Sequence, residues 1–329
     1  MSRLLRVELL RLVTRRLVVA AALAALVVGG LVVFGVFQMV KPPPPAQLEQ
    51  AEQAYQQELE RFRENGEEMV ADCREAEEAE REAIGQDVDF GCEQMEPQRE
   101  WFISTAPPLG DNLPMMLSAL VPLVVLLPMA MATTFVAAEH STGAISNWLT
   151  FEPRRLRVWT SKVIAASIGA VPAVAALLGL VVGGTYLAYS LQGLETDLAT
   201  GVWQEILWTC LRLVALGVMA ALAGCALGFL LRHTAAVLGV VIGYAIIVEG
   251  ILRNVVPALV PWTAGQNANA WTRYGAPYWV QECTVGPTGQ MCEGVERVLT
   301  FGHSAAYLLL GTAVLLVVSA LVFRRRDVG

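Results

Sequence analysis

The side chains that could do chemistry are few and widely separated. Histidine occurs three times in 329 residues, at His140, His233 and His303, each at the edge of an apolar run and far from the other two. There is no H-E-x-x-H, no G-x-S-x-G nucleophile elbow and no pair of aspartates within an apolar run. A G-x-x-x-x-G-K-[ST] phosphate loop is also missing, so no catalytic residue, metal centre or ATP site is expected in this chain. Two other kinds of chemistry remain. Ionisable groups inside apolar runs are costly and therefore informative. Glu249 and Arg253 stand at i, i+4 with the acid first, the better orientation for an intrahelical pair, and Arg212 is a candidate third member. Since buried charges are normally paired, a mutually neutralised clamp is expected here ahead of a substrate contact.

The second kind is sulfur. Cys73, Cys92, Cys283 and Cys292 lie in polar stretches, whereas Cys210 and Cys225 lie in an apolar run and read as packing residues. Four cysteines allow three connectivities. Cys73 with Cys92 and Cys283 with Cys292 are favoured, because the second pair encloses TVGPTGQM, whose Gly-Pro-Thr-Gly permits a tight return. Zinc is the rival, but neither pair has C-x2-C spacing or a neighbouring histidine.

The most organised polar stretch is residues 137 to 162, AAEHSTGAISNWLTFEPRRLRVWTSK. Ile145, Trp148 and Leu149 recur at i, i+3 and i+4, Ser141 and Thr142 precede them as N-cap candidates, and Pro153 stops the run. About two turns of amphipathic helix are therefore expected, followed by the basic residues Arg154, Arg155, Arg157 and Lys162. Lys162 and Lys41 are the only lysines among 23 basic residues, an arginine bias expected to carry no mechanism.

These features are set in a strongly apolar chain: 55% of residues are hydrophobic and 16% charged. Six runs are long enough to cross ~30 Å of hydrocarbon at 1.5 Å per residue. They are Leu17 to Met39, Met115 to Ala138, Val163 to Tyr189, Leu213 to Leu231, Ala235 to Val256 and His303 to Phe323. Residues 41–113 hold 19 of the 30 acidic but 6 of the 23 basic residues, a local net of −13 within a total of −7. Arginines before the first run, after the second and fourth, and after the sixth alternate as the positive-inside rule requires for cytoplasmic N- and C-termini. The acidic block and all four candidate disulfide cysteines then fall on the oxidising side.

The expected fold is an all-α polytopic membrane protein with six transmembrane helices and an extracytoplasmic, coiled-coil-like helical insert. Five regions are delimited: an amphipathic helix and first span (1–39), the acidic insert (40–113), spans two to five (114–257), an extracytoplasmic, partly re-entrant loop (258–302), and the sixth span with its basic tail (303–329). Within the insert, Leu48, Tyr55, Leu59 and Phe62, then Met69, Cys73, Ala76 and Ala83, keep a 3–4 spacing. Asn65-Gly66 leaves both one continuous helix and a hairpin open. Residues 2–16 place Leu5, Leu9, Leu12 and Val13 on one face, suiting a helix in the membrane interface. Pro257, Pro261, Trp262, Trp271, Tyr274, Tyr278 and Trp279 mark residues 257–280 as interfacial material.

This combination resembles the ABC-2 family of permeases, the membrane subunits of bacterial ATP-binding cassette exporters. The features that carry the resemblance are the basic amphipathic lead-in, six spans, and the segment Glu139, Thr142-Gly143, an apolar turn through Leu149, Pro153-Arg154-Arg155 and Lys162. The resemblance implies a multi-pass protein of the bacterial inner membrane that moves a hydrophobic or amphipathic substrate outward. The chain would bind no cofactor, with ATP and magnesium on a partner ATPase subunit. Residues 140–153 would be a coupling helix, with Glu139, Gly143, Ile145, Trp148, Leu149, Pro153, Arg154 and Arg155 as the coupling residues. Trp148 and Leu149 would supply the apolar anchor. A second permease, identical or different, and membrane lipid are expected partners, and nucleic acid is not. The acidic insert departs from the compact family pattern and admits an alternative: a sensor or scaffold that captures an extracytoplasmic protein at residues 46–84 without transport. A proton-driven carrier is disfavoured because no isolated mid-membrane acid is present.

Overall fold

The computed structural model of the chain describes residues 2–85, 87–103, 106–286 and 289–325. It is mostly helical. The elements are α1 (Ser2–Thr14), α2 (Arg16–Met39), α3 (Pro45–Ile84), α4 (Arg99–Phe102), α5 (Leu109–Ala119), α6 (Val121–Ser141), α7 (Ala144–Phe151), α8 (Arg155–Leu191), α9 (Thr200–Leu231) and α10 (Thr234–Tyr244). A π-helical segment (Ala245–Leu252) continues α10 into α11 (Arg253–Val255). A 3-10 turn (Pro257–Trp262), α12 (Ala264–Thr272), the strands β1 (Gly275–Gly286) and β2 (Gly289–Thr300), and α13 (Phe301–Arg325) complete the chain.

Six helical stretches are long and apolar enough to cross a membrane: Arg16–Met39, Leu109–Ser141, Arg155–Leu191, Thr200–Leu231, Thr234–Val255 and Phe301–Arg325. The protein is therefore a multi-pass membrane protein. The second, third and fourth spans begin six or more residues earlier than hydropathy alone places them, because polar turns extend the helix beyond the apolar run. The 37 residues of α8 would reach about 55 Å, well past the hydrocarbon thickness. The second span is broken at Leu120, where Pro122 opens α6 and the Leu120 amide turns back to Met116 and Leu117.

Burial separates the spans into two classes. Most of the apolar window of α9 is buried (61%), against 6% for the Thr234–Val255 span and 11% for α13. The second, third and fourth spans thus form the core, and the first, fifth and sixth present apolar faces outward. Two clusters fill the core. One joins Leu113, Leu117, Leu177, Tyr189 and Leu213, and the other joins Leu12, Phe135, Ile145, Phe229 and Phe323. Small residues set the closest approaches. The Cβ of an alanine at Gly224 would lie 2.9 Å from Met129 Cα, and the Thr133 hydroxyl donates to the Gly224 carbonyl at 3.1 Å across the same α6–α9 contact.

The long helical part of the acidic insert is one continuous helix. α3 runs 40 residues from Pro45, which sits at its first turn where a missing amide costs nothing, to a left-handed Gly85 cap, and Asn65-Gly66 do not reverse it. The Cys73–Cys92 disulfide closes the return segment onto α3, and Tyr55 packs on Phe102 at a centroid distance of 5.8 Å. Arg99 Nε also donates to Glu52 at 3.0 Å.

The all-α expectation needs one correction: β1 and β2 form an antiparallel hairpin with Gly275 opposite Thr300 and Gly286 opposite Gly289. Tyr278, Trp279 and Val280 on β1, and Val295, Val298 and Thr300 on β2, are β-branched or aromatic residues suited to extended strands, and Val280 stands opposite Val295. Cys283 stands opposite Cys292 in register. Their side chains, and the Pro287-Thr288 return, lie outside the described residues, and so does the proposed second disulfide.

Candidate functional site

Glu8, on α1, is the only acidic residue in the first 40 positions. It falls on the buried stripe Leu5, Glu8, Leu9 and Leu12, and Val13, expected on that face, is 59% exposed instead. α1 lies along α8 because Leu12 fills the space that a Cβ on Gly169 would need. That contact carries Glu8 to Lys162, whose Nζ sits 2.9 Å from Glu8 Oε2 and 2.6 Å from Glu139 Oε2. Arg15 stands 3.7 Å from Glu139 Oε1 and donates to the Thr134 carbonyl. The side chains of Lys162 and Glu8 are fully buried and that of Glu139 nearly so. Lys162 Nζ also lies 4.4 Å from the Phe135 ring centroid.

Two cations and two carboxylates therefore make a neutral buried quartet joining α1, the end of α6 and the start of α8. Burying ions costs several kcal/mol each, and only close, well-directed pairing offsets it. The lysine ammonium is a compact point charge with three rotatable donors, and it sits between the two carboxylates. Lys162 therefore has a position-specific role that the lysine scarcity did not reveal. Glu8 Oε1 has no hydrogen-bond partner among the described residues, so the quartet is not fully satisfied.

Between the two span ends held by this quartet hangs α7. It starts at Gly143, in the left-handed region at φ +70°. Ser141 and Thr142 do not cap it: both hydroxyls bond back to the Ala138 carbonyl, at 3.1 and 2.8 Å, and so finish α6. Ile145 is fully buried in the core cluster, and Leu149 packs at its edge. Trp148 lies under Arg11, 4.3 Å from guanidinium carbon to ring centroid. The exposed apolar side chain is Phe151, at 86%. Pro153 separates α7 from α8, Arg154 opens α8 with its carbonyl accepting from the Arg157 and Val158 amides, and Arg155 is the first residue of α8. Arg157 pairs with Glu152 at 3.3 Å. The neighbouring His140 packs edge-on against Phe229 and Phe323, and Trp159 Nε1 donates to Ser319 at 3.2 Å, so the same end of the bundle includes α9 and α13.

The charged residues of the fifth span are placed differently. Glu249 Oε1 accepts from the Gly265 amide at 2.7 Å and from the Tyr244 hydroxyl at 3.1 Å, while Tyr244 accepts from the Ala264 amide at 2.7 Å. These are the first amides of α12, so Glu249 caps a helix N-terminus from another element. Arg253 Nη1 lies 3.9 Å from Glu249, and its Nη2 is 3.4 Å from Gln266. Arg212 is not part of this group: it bonds to Thr209 at 2.9 Å and stands over Tyr274. Cys210 and Cys225 carry free thiols within α9.

Compared with protein-family models, curated proteins and solved structures, the chain matches none. Sequence reasoning named Glu139 and Lys162 but missed Glu8 and Phe151. The signal for Glu8 was an isolated acid at apolar spacing in an arginine-rich helix. Phe151 was hidden by its place two residues beyond the Ile145–Trp148–Leu149 pattern.

A second feature is an apolar cavity of about 840 Å³ between α6, α9 and α13. Val125, Met129, Met219, Leu310 and Val314 line it, and Trp262 and His303 stand at one end. His303 Nε2 lies 3.2 Å from the Pro261 carbonyl, and its ring is 5.2 Å from that of Trp262.

Proposed function

We propose that this chain is the transmembrane permease subunit of an ATP-binding cassette exporter of the ABC-2 type, which moves a hydrophobic or amphipathic substrate outward using ATP hydrolysed by a separate subunit. The observation that carries the reading is α7: a short helix strung between two spans, its inner side sunk in the core at Ile145 and its far end showing Phe151 to solvent. A connector needs neither a left-handed glycine start nor a buried charge quartet bracing both of its neighbours. A helix that receives force from another protein needs both, because a push on Phe151 must reach α6 and α8 without being lost in a flexible joint. In this reading Phe151 is the apolar anchor that enters a groove on the ATPase, Trp148 and Leu149 hold α7 to the bundle, and the quartet transmits its displacement. α7 and both termini would lie in the cytoplasm of a bacterial inner membrane, with α3 and the hairpin outside. The apolar cavity suits a hydrophobic cargo, and the exposed faces of the first, fifth and sixth spans suit lipid and a second permease.

The test is co-purification in mild detergent from the native host. An ATP-binding subunit should accompany the chain, and Phe151→Asp should release it while the permease stays folded. Retention of the ATPase by Phe151→Asp would remove the docking role. Function that persists with an inactive ATPase would favour the scaffold reading instead.

A further inference from the structure

We propose that the groove beside Arg212 binds the headgroup of a zwitterionic membrane phospholipid, with the phosphate on Arg212 and the ammonium on Glu205. The groove, of about 710 Å³, lies along the first half of α9, with Trp271, Tyr274 and Phe301 on its other side. Glu205 and Arg212 are two turns apart, a spacing that returns to one face of a helix, and both line it. Neither has an ion-pair partner among the described residues. The only side-chain hydrogen bond of Arg212 there is to the neutral Thr209 hydroxyl, and its Nε is buried without a partner. A guanidinium held in place with unused donors is matched to the planar, multi-oxygen face of a phosphate.

The surroundings hold that geometry. Tyr274 stands 5.5 Å from the guanidinium carbon and is a non-glycine residue at φ +60°, a conformation that needs outside support. The support is a stack: Tyr274 on Phe301 at 4.7 Å and Phe301 on Trp271 at 4.9 Å, with Trp271 Nε1 donating to the Arg212 carbonyl at 2.8 Å. Trp208 and Tyr274 are 62% and 67% exposed, leaving aromatic faces for an ammonium as well as an interfacial lipid. Leu207 and Leu211, also exposed, flank Trp208 and give acyl chains an apolar track. One arginine and one glutamate make the groove neutral, which fits a zwitterion; a purely anionic headgroup would meet Glu205 as a repulsive neighbour. This inference concerns a site remote from α7 and holds whether or not the chain exports anything.

The experiment is native mass spectrometry of the full chain, purified and mixed with equal phosphatidylethanolamine and phosphatidylglycerol. The wild type should retain phosphatidylethanolamine in preference. Arg212→Gln should weaken retention about tenfold, equivalent to ~1.4 kcal/mol. Arg212→Lys should fall between the two, which separates lost charge from lost fold, and Arg63→Gln on α3 should change nothing. Glu205→Gln should abolish the preference for phosphatidylethanolamine. Equal retention of both lipids by the wild type, or equal loss in Arg212→Lys and Arg212→Gln, would overturn the proposal. Displacement of the lipid by an equimolar amount of soluble glycerophosphoethanolamine would overturn its membrane source.

Discussion

A lysine ammonium buried between two carboxylates is stable only while all its partners are present. Lys162→Met leaves Glu8 and Glu139 facing each other in an apolar setting with Arg15 alone to compensate. It should destabilise the protein by roughly 3–5 kcal/mol, the range for breaking a buried ion pair from one side. Adding Glu8→Gln removes the surplus charge, so the Glu8→Gln, Lys162→Met double variant should recover part of the lost melting temperature in detergent. A double variant less stable than Lys162→Met alone would show that the quartet is not an electrostatic unit. This is also where the sequence was least readable. Glu8 and Lys162 are 154 positions apart, and no local spacing rule pairs residues at that separation. Glu139 and Lys162 were legible through the family-like pattern, but Glu8 was camouflaged by arginines that face the other way.

Elements are held by backbone conditions that single residues can break. Gly143 stands at φ +70° in open space, so Gly143→Ala is opposed by conformation rather than by a clash and should cost about 1–2 kcal/mol. The expected readout is faster proteolysis between α6 and α8 with little change in bundle stability. Gly224→Ala is the opposite case: its Cβ would run into the Met129 backbone, so α6 and α9 must part, at ~1–3 kcal/mol for overpacking, and the whole bundle should melt lower. In the insert, Cys73→Ser should make residues 85–103 sensitive to protease and leave the melting of the spans unchanged, because the disulfide ties only the return segment to α3. The spans were legible because their apolar runs are long enough to cross a membrane, and the helical character of the insert because a 3–4 spacing persists in it, although that spacing left its continuity through Asn65-Gly66 open. The hairpin was not. Its prolines, glycines and tryptophans read as interfacial loop, and the decisive feature, twelve residues of cross-strand register, exists only once two segments meet.

At the scale of the molecule, the buried spans form a core on which α7 packs through Ile145 and Leu149, and the first, fifth and sixth spans present apolar faces outward. A mobile connector would let a partner's motion dissipate. Here ion pairs join α1, α6 and α8 at one point and α7 leaves the same end of the bundle, so in the proposed reading displacement of its tip would be conveyed to two spans at once. The measurement that tests this most directly is site-specific photo-crosslinking from position 151 in native membranes, with position 145, buried in the core, as the control. An ATP-binding subunit should be crosslinked from 151 and not from 145, with a yield that changes when ATP is trapped. Crosslinks from 151 to lipid alone, with no ATP-binding subunit among the products, would contradict it.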